Sequence, residues 1–168
     1  MNEFSVPEES SILTISESIS SMNEIEQLKE KIACLPSCSR FSDDQIEIIY
    51  SIAHSTYMQG KLDIACGIFQ LLIMYRPLDA RILCAFGICC KRLGRFEEGI
   101  TAFSAALTLE PTKLNYYMHL AECLAAVGMH NESLEVLDPL IDISSLTDSF
   151  KSVHKRASTM REMLKQAS

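Results

Sequence analysis

No run of apolar residues in this chain reaches the ~18–20 residues that a membrane-spanning helix needs, although 48% of its 168 residues are hydrophobic. An excess of lysine and arginine over acids, the usual source of basic clusters, is also missing, and the formal net charge is −7. Backbone recognition of nucleic acid depends on such clusters, so the composition argues against nucleic acid as a direct partner. The opening residues, MNEFSVPEESSILTISES, have neither a basic start nor a continuous apolar stretch and do not form a secretory signal. The chain is therefore expected in the cytosol. There is no glycine-rich phosphate loop. His119, Glu122 and the Cys89-Cys90 pair do not supply nucleophile, base and orienting group, so no enzyme is expected. The cysteines are odd in number, seven: Cys34, Cys38, Cys66, Cys84, Cys89, Cys90 and Cys123. Most are expected to be small buried hydrophobes in a reducing compartment rather than a disulfide framework. Cys34 and Cys38 would make half a metal site, but no second pair follows at ligand spacing, so neither a metal nor a cofactor is expected.

What the chain does have is a period. Gly60, Gly94 and Gly128 stand 34 residues apart, and Pro77 and Pro111 share the interval. So do Ala65, Gly99 and Ser133, and Phe69, Phe103 and Leu137. This is the length of a tetratricopeptide unit, two antiparallel helices that bury a continuous core by stacking. The units run from Ile46 to Asp79, from Ala80 to Lys113, and from Leu114 to about Thr147. Their first helices carry apolar stripes: Ile49, Ile52, Ala53 and Thr56, then Leu83, Phe86, Gly87 and Cys90, then Tyr117, Leu120, Ala121 and Leu124. The small residue in mid-stripe lets the second helix come close. The three glycines end the first helices, where a left-handed conformation costs glycine little. Second helices open near Leu62, Phe96 and His130, and the prolines fall just beyond their ends. The third unit departs from the pattern, with His130 in an apolar slot and Ser145 in the proline slot, as terminal repeats often do. Tryptophan fills no slot, because the chain has none.

The fold class that follows is all-α: three helix pairs, a flanking N-terminal helix and a C-terminal capping helix. Residues 1–20, rich in serine and glutamate, are expected as a disordered tail. Residues 21–40 are expected to hold a helix with the stripe Met22, Ile25, Leu28, Ile32 and Leu35, stopped by Pro36 and available for dimerisation. Residues 41–168 form the repeat domain, with Ser42 or Asp43 as its first N-cap. A last helix is predicted from about Leu146 to Lys165, capped by Ser145 or Thr147. Its apolar face would be Phe150, Val153, Ala157, Met160 and Leu164. It would cover the open end of the third unit, with Lys151, Lys155, Arg156, Arg161 and Lys165 on its solvated face.

In such stacks the first helix of each unit lines the concave side, where other polypeptides are held. The inward slots hold Glu47, Tyr50, His54, Tyr57 and Met58 in the first unit and Arg81, Cys84, Ile88, Lys91 and Arg92 in the second. The third has Asn115, Met118, Glu122, Ala125 and Ala126. Tyrosine offers contact area plus a hydroxyl, and methionine adapts to irregular apolar ligands.

The stretch from Phe41 to Asp138 also resembles a particular family. Ile49-Tyr50-Ser51-Ile52-Ala53, then Tyr57-x-x-Gly60-Lys61, Ala65 and Phe69-Gln70, resembles the first repeat of the class II chaperones of type III secretion, which attend the pore-forming translocators. Gly87-Ile88-Cys89-Cys90 before Gly94-Arg95-Phe96 is similar to their second repeat, and Ala121-Glu122-Cys123-Leu124 to their third. The resemblance implies a cytoplasmic, non-enzymatic chaperone of a Gram-negative bacterium that keeps hydrophobic translocators soluble. It would bind a short extended translocator segment, rich in proline and leucine, in the concave groove. By position it implies groove or pocket roles for Tyr50, His54, Tyr57, Leu62, Phe69, Tyr75 and Phe103. Cys84, Ile88, Met118 and Glu122 join them from the inward slots. His54 and Leu62 stand where aromatic residues are common. The resemblance further implies a homodimer and, in some members, help to an AraC-type transcription activator. Two other readings of the repeats are a general tetratricopeptide adaptor and an assembly or structural subunit of a secretion apparatus. A carboxylate clamp of the adaptor kind needs Lys and Asn where this chain has Tyr50 and His54.

Overall fold

The computed structural model describes residues 41–146 and 148–167. The expected tail, the helix over 21–40 with its stripe, Cys34, Cys38 and the capping role of Thr147 lie outside them. The described residues form helices α1 (Asp43–Met58), α2 (Leu62–Tyr75), α3 (Ala80–Arg92), α4 (Phe96–Leu109), α5 (Leu114–Ala126) and α6 (His130–Ser145). A short 3-10 turn, Asp148–Phe150, leads into α7 (Lys151–Ala167). Successive helices pack as neighbours, so α1–α2, α3–α4 and α5–α6 are the three pairs of a helical-repeat stack. None of the described helices is long and apolar enough to cross a membrane.

Each pair turns in the same way, for a reason visible in the backbone. Gly60, Gly94 and Gly128 have φ of +79°, +75° and +83°, and no other described residue has a positive φ. The amide of Gly60 donates to the Tyr57 carbonyl and that of Lys61 to Thr56. Gly94 and Arg95 repeat this on Lys91 and Cys90, and Gly128 and Met129 on Ala125 and Leu124. This paired bonding closes a helix end around a left-handed residue, and glycine takes that conformation without a Cβ clash. At the other end of the stack Ser42 caps α1. Its hydroxyl accepts from the Gln45 amide while the Gln45 side chain accepts from the Ser42 amide.

Core packing follows the period. Phe69, Phe103 and Leu137 are almost wholly buried, as are Ala65 and Ser133 of the small slot. Ser133 meets the cost of its buried hydroxyl by donating to the Ala121 carbonyl at 2.9 Å. All five described cysteines are buried and reduced. Burial pushes the thiols of Cys84, Cys89 and Cys123 up to about 11 and that of Cys90 up to about 12. They act as small apolar side chains, with the Cys66 and Cys90 sulfurs 3.8 Å apart between the first two units.

Four expectations are corrected. Ile52, placed in the buried stripe of α1, is 53% exposed. Ile48 beside it is 60% exposed, whereas Ile82, one period on, is fully buried. Ile82 has a preceding helix pair against it, whereas among the described residues no helix precedes α1. The last helix starts at Lys151 rather than near Leu146, because α6 finds no proline at its end and runs through Ser145. Ser145 is therefore a helix residue rather than a cap. Phe150 consequently sits in the 3-10 turn and is partly exposed, while Val153, Ala157 and Leu164 are buried as predicted.

Gly87 is the tightest point. A Cβ there would lie 2.9 Å from two atoms of the Phe103 ring. Gly87→Val is expected to destabilise the chain by about 2–3 kcal/mol in urea unfolding, the range of core overpacking. Adding Phe103→Leu should recover part of that loss. Strictly additive losses in the double mutant would show that the two sites do not touch.

Candidate functional site

The concave side is built by α1, α3 and α5, and between α1 and α3 it holds a recess of about 260 Å³. Tyr50, His54 and Tyr57 enter it from successive turns of α1, and Arg81, Cys84, Ala85 and Ile88 from α3. Phe69 forms the floor from α2, and Tyr116 closes the side from α5. The Tyr50 ring meets Phe69 edge to face at 5.5 Å. Such contacts fix a ring while leaving its other face open to a ligand.

Two arginines hold the tyrosines from outside. The Arg81 guanidinium lies 4.6 Å over the Tyr50 ring, and Arg92 lies 5.2 Å over Tyr57. Arg81 is itself fixed by a two-pronged ion pair with Glu47. The hydrogen bond from Arg81 is the main reason that the Glu47 carboxyl lies below its ordinary range. Burial pushes the Tyr50 phenol up, and that of Tyr116 up to about 12, so both stay neutral hydroxyl groups. The recess is thus an aromatic and aliphatic slot with neutral hydroxyls, and the Arg81 charge sits at its rim. It suits apolar side chains of an extended peptide.

The Glu47–Arg81 pair spans 34 positions, and so does the pair Glu122–Arg156. Equivalent turns of neighbouring inward helices are therefore pinned by ion pairs one period apart. In the third unit Glu122 also accepts from Lys91, and His119 Nδ1 lies 3.4 Å from it. Burial raises the Glu122 pKa, but the bonds from His119, Lys91 and Arg156 outweigh it and bring it to about 2. The His119 ring stacks on Phe103 at 5.3 Å, tying this polar group to the core.

No family model matches the chain. In sequence it is 28% identical over 127 residues to Low calcium response locus protein H of Yersinia pestis, which covers 76% of each chain. In fold it matches Pseudomonas aeruginosa PcrH, crystallised in complex with the chaperone binding region of PopD. The TM-score is 0.71 at 25% identity, over 76% of this chain and 96% of that one. The Yersinia enterocolitica chaperone SycD, crystallised with a peptide of the translocator YopD, gives 0.71 at 27% identity over 77% and 98%. The chain resembles the type III secretion translocator chaperones in both sequence and fold.

Against that resemblance, Tyr50, His54, Tyr57, Phe69, Cys84 and Ile88 come together in the one recess. Five other sequence candidates do not line it. Phe103 is fully buried beneath Gly87 and positions α3. Tyr75 packs edge to face on Phe41 at the end of α2. Leu62 opens α2, beyond the recess. Met118 and Glu122 line a separate recess against α7. Arg81 was legible as an inward slot. Ala85 and Tyr116 were not, since each lies one position off the inward register. Tyr116 sits among the apolar groups under α4 and is long enough to reach the recess as well. Arg156 pairs with Glu122 while staying half-exposed on the solvated face of α7.

The lowered pKa of Glu122 fixes a pH dependence. Its contribution to stability is complete above its ordinary value of 4.5 and is lost as pH falls towards about 2. Glu122→Gln should cost about 1–3 kcal/mol at pH 7, since it leaves Lys91 and Arg156 without their shared anion. The gap between mutant and wild type should then close on acidification through that window. A gap independent of pH, measured by urea unfolding, would show that the carboxylate adds nothing.

Proposed function

We propose that this chain is a type III secretion chaperone of a bacterial cytoplasm that binds an extended segment of a hydrophobic translocator along its concave side and keeps that protein secretion-competent. The observation that carries this reading is the convergence of Tyr50, His54, Tyr57, Phe69, Cys84 and Ile88 on one apolar slot. It lies in a fold similar to chaperones solved with PopD and YopD segments. Tyr50 and Tyr57 are the anchors, with His54 between them. Cys84 and Ile88 form the opposite wall. Leu62, Tyr75 and Phe103 support the helices, and Met118 and Glu122 extend the surface.

A translocator must enter membranes, so it carries long apolar segments that aggregate in water. A slot that captures a few anchors keeps the segment occupied. Ordering an extended peptide costs free energy, which leaves the affinity moderate and release feasible. Within the same proposal the chain associates with a second copy and, once cargo leaves, serves an AraC-type activator. Its action is binding rather than bond-making.

Co-expression with a translocator should raise the soluble yield of that partner. Tyr50→Ala with Tyr57→Ala should abolish the gain while leaving helicity nearly unchanged. Each anchor is worth ~1–3 kcal/mol, so the pair should cost roughly a hundredfold or more in affinity. Calorimetric titration with a translocator peptide reads this directly. A folded double mutant that binds as tightly as wild type would exclude the concave slot as the recognition site.

A further inference from the structure

The 34-residue register does not stop at the third unit. Ile88 and Glu122 share an inward slot, and the next position in that slot is Arg156 on α7, bonded to Glu122 itself. Thus α7, although it buries Val153, Ala157 and Leu164 as a cap, stands where the first helix of a fourth unit would stand. It continues the concave surface. Between α5 and α7 lies a second recess of about 310 Å³ with Met118, Met160 and Met163 along it. Met163 is 64% exposed. Methionine surfaces adapt to apolar side chains of varied shape.

The charge around this recess is unlike the rest of the molecule. The chain as a whole carries −7. Helix α7 carries five Lys and Arg residues against Glu162 alone. At the recess itself, Lys155 and Arg156 meet a single lining carboxylate, Glu122, which already serves Lys91. Among the described residues Lys155 has no ion-pair partner, while Arg156 is half-exposed. One acid facing three cations leaves a positive rim over an apolar floor.

We propose that the α5–α7 recess is a second cargo subsite, which takes an apolar side chain of the partner segment directly flanked by aspartate or glutamate. The recess beside Tyr50 accepts apolar anchors with no demand for an acid, so the two subsites read different chemistry and set the direction of the bound segment. The inference rests on the concave side being the peptide-holding surface.

Three fluorescein-labelled peptides test it. Each has a central Leu-Met, flanked on both sides by two Asp, by two Asn, or by two Lys. Fluorescence anisotropy with the full chain at low salt should show the Asp peptide binding at least tenfold tighter than the Asn peptide. That preference should shrink as salt is raised. Met163→Glu, at an exposed position, should weaken the Asp peptide tenfold or more without loss of helicity. Lys155→Glu should shift preference towards the Lys peptide, which a merely structural role for Lys155 would not do. Equal binding of the Asp and Asn peptides, or an Asp preference untouched by both variants, overturns the proposal. If that happens while Tyr50→Ala with Tyr57→Ala still abolishes translocator binding, the second subsite alone falls. If that double mutant also leaves translocator binding intact, the concave side itself is wrong.

Discussion

One place in each helix pair must hold almost nothing, and the rest of the stack depends on it. Ala53, Gly87 and Ala121 occupy that place in α1, α3 and α5, and the two alanines are wholly buried. At Gly87 the Phe103 ring comes so near that a methyl group would lie 2.9 Å from it. A large side chain would push the two helices apart by about its own width. The inward helices would then lose the spacing that lets Glu47 reach Arg81 and Glu122 reach Arg156. The concave surface is therefore set from behind, by how closely the outer helices approach. Interior packing at crystal-like density transmits such constraints without slack.

From that spacing the chemistry of the surface follows. Two arginines brace two tyrosines that line the slot, and Phe69 fixes the depth. The bracing matters because a tyrosine already held in place loses little entropy when a ligand arrives. The polar group around Glu122 serves the same end further along. It locks α3, α5 and α7 together by a carboxylate that stays ionised to low pH. The surface is thus preorganised at both ends, with an aromatic slot at one and a basic, methionine-lined recess at the other.

The architecture was legible because it repeats. A glycine needed at positive φ, a small residue needed at a close approach and a proline beyond a helix end each recur at one interval, and the structure has them in those roles. What a period cannot show is the effect of neighbours. Ile52 fits the stripe but has no preceding helix pair to bury it among the described residues. Tyr116 misses the inward register by one position, yet its length carries it to the slot. Phe103 has the right identity for a pocket and is shut beneath Gly87. Arg156 matches the basic face of an amphipathic helix, but its ion pair to Glu122 depends on where α7 docks, and no local pattern encodes that.

The central claim, that the α1–α3 slot holds the translocator segment, is tested most directly by site-specific photo-crosslinking. A photo-reactive phenylalanine placed at Ile88, on the wall of the slot, is compared with one at Thr101 on the exposed side of α4. The account predicts that the Ile88 probe joins one short contiguous stretch of a co-expressed translocator, found by mass spectrometry, and that the Thr101 probe joins none. Crosslinks from Thr101 with none from Ile88 would contradict it and move recognition to the outer face.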